Sequence, residues 1–96
     1  MAQAIKELDR ITLTVPLEGA DVFDDTRVFQ LPVGSEGTVM LAFGNEAYEV
    51  EFIVRPNPTD PEDWYSVEIV VKADQCLPSF IGKERNPALK GLNAPA

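Results

Sequence analysis

Hydrophobic and polar positions alternate with a period of two along much of this chain, and that period is the signature of half-buried strands. In Arg10 to Val15, the residues Ile11, Leu13 and Val15 share one face, with Thr12 and Thr14 on the wet one. Pro16 ends the run, because proline cannot continue a ladder. Gly37 to Phe43 predicts a second strand, with Val39, Leu41 and Phe43 on its core face. Gly44-Asn45-Glu46 is a tight hairpin turn. The return strand, Ala47 to Val54, shows the sharpest alternation: Tyr48, Val50, Phe52 and Val54 lie inward, and Glu49 and Glu51 outward. Trp64 to Lys72 predicts another strand. Tyr65, Val67, Ile69 and Val71 share its core face, and Trp64, Ser66, Glu68 and Val70 the opposite one.

The connections differ in kind. Residues 16 to 36 carry Pro16, Gly19, Pro32 and Gly34 and read as a long first loop, with one short irregular strand near Arg27 to Leu31. Residues 56 to 63 hold three prolines, which exclude regular structure and stiffen the loop. Ala73 to Pro78 reads as a short turn or 3₁₀ step leading to a brief last strand. The single helical candidate, Ala2 to Leu8, is too short to stand alone. The expectation is an all-β domain over residues 5 to 82, a small five-stranded barrel. From Lys83 to Ala96 a mobile C-terminal tail is expected.

Charge changes the picture more than composition does. The chain carries a net charge of −8. Residues 1 to 82 hold five Lys and Arg against fifteen Asp and Glu, a net −10, whereas the remaining fourteen residues carry +2. Such a body repels a phosphate backbone and attracts a basic protein. No apolar run is long enough to span a membrane, and Met1 to Arg10 has no secretory pattern, so the expected compartment is the cytoplasm.

Catalytic chemistry has few places to reside. The chain has no histidine, which removes imidazole acid–base work and His-based metal sites. One cysteine, Cys76, excludes an internal disulfide and a thiolate zinc cluster. No phosphate-binding loop and no nucleophile elbow is present. Asp21, Asp24 and Asp25, like Asp60, Glu62 and Asp63, lack the spacing of a calcium loop and read as solvated acidic loops. The sequence therefore predicts no catalytic residue, no metal and no cofactor.

Three stretches carry a family resemblance. They are Ile5-Lys6-Glu7-Leu8-Asp9 leading into Ile11-Thr12-Leu13-Thr14, then Gly34-Ser35-Glu36-Gly37-Thr38-Val39, and Glu46-Ala47-Tyr48-Glu49-Val50-Glu51-Phe52. In that order they resemble the small bacterial proteins of domain-of-unknown-function family 4926, over residues 5 to 78. The resemblance implies an SH3-like barrel, brings no established activity and no catalytic residues, and implies that some members accompany toxin-like genes. The inserts at 17 to 33 and 56 to 63 depart from it.

The aromatics suggest where a partner would dock. Phe23 and Trp64 sit in or beside the acidic loops, and in SH3-like barrels such aromatics form peptide grooves. Phe29, Phe43 and Tyr65 are expected in the core. The partner-binding set is Phe23, Asp24, Asp25, Glu62, Asp63 and Trp64. The expected function is non-catalytic binding of another protein, a basic toxin-like one that it neutralises or accompanies, with no nucleic acid and no membrane. The alternatives are a nucleic-acid-binding barrel of the KOW type, suggested by the Gly34 to Gly37 turn, and a structural subunit that dimerises through a strand edge.

Overall fold

A computed structural model describes residues 4–92 and gives an all-β architecture. The strands are β1 (Arg10–Leu13), β2 (Leu17–Ala20), β3 (Val28–Leu31), β4 (Glu36–Phe43), β5 (Ala47–Val54), β6 (Tyr65–Lys72), β7 (Cys76–Pro78), β8 (Phe80–Ile81) and β9 (Glu84–Arg85). One antiparallel five-stranded sheet has the order β6-β5-β4-β1-β7, and β2-β3 and β8-β9 are separate hairpins. The sheets do not close into a continuous barrel. An isolated bridge between Asp21 and Val67 ties the β2-β3 hairpin to β6.

The period-two reading holds best in β5, where Tyr48, Val50 and Phe52 are buried between flanking strands. They pack with Ile11, Leu13, Leu31, Val39, Val67, Val71 and Cys76 into one core. Gly37 lies against this core because nothing larger fits. A Cβ there would come within 2.6 Å of the Val50 side chain, 2.8 Å of the Glu51 carbonyl oxygen and 2.9 Å of the Phe52 ring.

Four expectations change. First, β4 carries a register shift between Val39 and Leu41, and such an irregularity reverses the in–out phase beyond it. Leu41 and Phe43 therefore face outward, and Ala42 packs against the core instead. Second, residues 17 to 31 form a true hairpin, with Leu17 opposite Leu31 and Ala20 opposite Val28. Glycine at 19 hides β2 from the alternation pattern, yet it lets the strand lie on β6, where a Cβ would sit 2.5 Å from Val67 and Ile69 side-chain atoms.

Third, Thr12 does not face water. It is 2% exposed, and its hydroxyl shares a 2.8 Å hydrogen bond with the buried Ser79 hydroxyl. Fourth, the segment from Lys83 to Leu92 is not a mobile tail. Its β9 pairs with β8, and a 3₁₀ turn at Pro87–Leu89 follows, with Asn86 and Leu89 buried. Asn86 anchors it by donating to the Pro78 carbonyl at 2.7 Å and accepting from the Ala88 amide at 3.0 Å. That also protects the β7 edge, since Pro78 has no amide to offer a further strand and its carbonyl is taken. Residues 93–96 lie outside the described region, as do Met1, Ala2 and Gln3 of the helical candidate. Glu7 and Leu8 form a turn.

Glu36 fastens this segment to the sheet. Its carboxylate accepts from Arg10 Nη2 at 2.9 Å and from Arg85 Nη1 of β9. Burial pushes the Glu36 carboxyl up, but hydrogen bonds from Arg85, Arg10 and Ser79 outweigh it and hold the group below its ordinary value of 4.5. A folded-state value below the unfolded one adds stability at neutral pH, and this is lost as the pH falls through the folded value. Glu36→Gln should therefore cost about 1 kcal/mol at pH 7, the scale of a solvent-accessible ion-pair network. The gap from wild type should shrink in acid below the ordinary carboxylate range. Urea titrations at neutral and acid pH measure both, and a pH-independent gap would contradict this role.

Candidate functional site

The acidic aromatic site is built where the β2-β3 hairpin meets the start of β6. Asp21 is the joint. Its backbone amide donates to the Arg27 carbonyl at 2.9 Å, closing the hairpin end, and the next amide, of Val22, donates to the Ser66 carbonyl at 2.8 Å. Its buried carboxylate accepts from the Ser66 amide on one oxygen and the Phe23 amide on the other, each at 3.2 Å. One side chain thus stitches the hairpin to β6 and fixes the backbone from which Phe23 projects.

The rest of the hairpin tip is set by short-range capping. Asp24 Oδ1 accepts from the Thr26 amide at 3.1 Å and the Thr26 hydroxyl at 2.5 Å, and these bonds hold the Asp24 carboxyl below its ordinary value. Across the gap, the proline loop is a series of similar turns. Asn57 Oδ1 accepts from the Thr59 amide, and Asp60 Oδ1 accepts from the Glu62 amide at 3.0 Å. Polar side chains that satisfy their own backbone in this way replace a ladder in loops.

Between the two loops lies an open groove of about 370 Å³, lined by Asp21, Phe23, Glu62, Trp64, Tyr65 and Ser66. Phe23 is 88% exposed and Trp64 48%, so both offer apolar surface to solvent. Tyr65 is held from behind. Its hydroxyl accepts from Arg27 Nη1 at 3.0 Å, the Arg27 guanidinium lies 4.9 Å from its ring centre, and Phe29 packs on it with centroids 5.0 Å apart. Phe29 and Tyr65 are half-buried and brace the groove, whereas Phe43, expected in the core, is exposed.

Of the six residues expected to bind a partner, Phe23, Glu62 and Trp64 line the groove together although about forty residues separate them in the chain. Asp24, Asp25 and Asp63 sit in the same two loops, outside the lining. Asp21, Tyr65 and Ser66 complete the site without having been singled out for it. The signal for Asp21 was present: an aspartate two residues before a turn amide is placed to cap it.

Cys76 is buried, and burial, aided by the nearby Asp74 charge, pushes its thiol up to about 11, so it stays protonated at neutral pH. Among the described residues, no three acidic or cysteine side chains gather as a metal site, and no helix is long and apolar enough to cross a membrane. A second hollow of about 360 Å³ lies under the C-terminal segment, between Thr12 and Leu89, and shares no residue with the groove. Comparison with protein families, with curated proteins and with solved structures finds no match.

Proposed function

We propose that this chain is a non-catalytic module that binds a basic protein through the groove between Phe23 and Trp64. The observation that carries this reading is the meeting of two sequence-distant acidic loops around exposed aromatic surface. Partly exposed Trp residues in preformed hollows are the usual anchors of protein interfaces. Carboxylates around them would speed the approach of a basic partner and repel nucleic acid.

The SH3-like fold and membership in domain-of-unknown-function family 4926 belong to this proposal. The strand order, the long hairpin after β1 and the 3₁₀ turn at Ala73–Gln75 before β7 support the fold. The partner of most specific chemistry is a basic toxin-like protein that the module neutralises or accompanies in the cytoplasm.

The experiment is co-purification at low salt from the native cells, followed by association kinetics with the basic protein recovered. Asp25→Lys combined with Glu62→Lys is the informative variant, because among the described residues neither side chain caps a backbone group. Association should slow by about tenfold with little change in stability. An unchanged on-rate would reject electrostatic steering.

A further inference from the structure

The groove does not end at Ser66. The Ser66 hydroxyl donates to Glu51 Oε2 at 2.9 Å, and Glu51 stands on the outer face of β5. Cross-strand partners share a face, so the register defines what surrounds it. One row is Thr38–Glu51–Glu68, the next is Leu41–Glu49–Val70, and the last is Phe43–Ala47–Lys72. Ser66 precedes Glu68 and Val70 on the same face of β6, and Trp64, just before the strand, lines the groove with Ser66. Three glutamates thus run along a strip edged by exposed apolar side chains: Leu41, Phe43, Ile53 and Val70, the last 58% exposed.

Two features set this strip apart from a merely solvated face. Glu51 and Glu68 stand directly opposite each other, an arrangement that destabilises a sheet when both are charged. Among the described residues no salt bridge reaches either carboxylate. Arg10 reaches Thr38 but its guanidinium is committed to Glu36, and Lys72 lies two rows away, beside Ala47. The strip is three strands wide, about 10 Å across, which is the width of one helix.

From this we infer that the outer face of β4–β6 is the second half of the docking surface, and that its occupant is a basic amphipathic helix of the partner. The helix lies along the strip, sets cations against Glu49, Glu51 and Glu68, lays apolar side chains on Leu41 and Val70, and delivers one end to the Phe23–Trp64 groove. This deepens the protein-binding reading and rests on it. Association would remove the Glu51–Glu68 repulsion and cover the apolar rim in one step.

The test uses the whole chain and a short amphipathic lysine–leucine peptide as probe, with a glutamate–leucine peptide as control, followed by amide chemical shifts. The lysine peptide should shift Glu49, Glu51, Glu68 and Val70 together with Trp64, and the acidic control should shift none. Glu49→Lys with Glu68→Lys should weaken binding by about tenfold. A charge-matched pair on other surfaces, Glu7→Lys with Glu84→Lys, should weaken it far less. Folding of the first pair is not at risk, since Lys at 68 faces Glu51 and should raise the unfolding temperature. Shifts confined to the groove would overturn the sheet-face inference and leave the groove reading standing. Binding that survives Trp64→Ala but not the Glu49/Glu68 pair would support the sheet face and remove the groove. Equal losses for both charge pairs, or no binding, would overturn the inference.

Discussion

Gly37→Val is expected to lower the stability of the fold sharply. The new side chain would enter space already held by Val50, Phe52 and the Glu51 carbonyl, all within 3 Å of its Cβ. Two of these belong to the buried core, and the third is backbone in the β4–β5 ladder, so none can retreat without opening the sheet. Overpacking a core costs about 1 to 3 kcal/mol and more where backbone must move, against a total stability of about 5 to 15 kcal/mol for domains generally. We expect a loss of about 3 kcal/mol or more, read as a large fall in the urea midpoint. Gly44→Ala is the control. It meets nothing within 4 Å, and its φ of +64° should cost only about 1 kcal/mol. Equal effects at the two positions would mean that β4 does not approach β5 as described.

Trp64→Ala is the second large effect, and it falls on binding instead of folding. The side chain is half exposed and stands outside the core, so its loss should alter stability by less than about 1 kcal/mol. Truncating a central aromatic anchor costs at least about 2 kcal/mol of affinity, some thirtyfold, mostly as faster dissociation. Phe23→Ser should act in the same direction with no stability cost, because Phe23 contributes almost nothing to the interior. Surface plasmon resonance against the co-purified partner, with urea titration alongside, separates the two quantities. Weakened binding that merely tracks lost stability would point to misfolding instead of a lost contact.

Much of this molecule is legible in its residues, and the failures have physical causes. Tyr48, Val50 and Phe52 show their burial plainly, because a strand with one wet face must alternate. The alternation places Leu41 and Phe43 on the wrong face because a bulge leaves no mark in the hydrophobic pattern. Leu17 to Ala20 gave no strand signal because Gly19 serves packing against Val67, a long-range demand that local propensity does not record. Thr12 reads as wet because its hydroxyl is covered by Ser79, a contact between residues 67 positions apart that no local pattern records, and the polar sequence from Lys83 onward reads as a tail. What it conceals is Asn86, one side chain that holds the segment through backbone groups on both sides.

The site was half legible for the same reason. Acidic loops and aromatic residues are visible along the chain, so Phe23, Glu62 and Trp64 could be picked out. That they face one another depends on Asp21 reaching Ser66 across the fold, and no local pattern encodes that contact.

Trp64 is the sole tryptophan of the chain, so its fluorescence reports on the groove without labelling. In the free protein it should emit at long wavelength and be readily quenched by acrylamide, as a half-exposed indole does. Titration with the basic partner should move the emission to shorter wavelength and sharply reduce quenching, with both changes reversed by salt. Emission and quenching that stay constant while the partner binds would place the interface elsewhere and contradict the account.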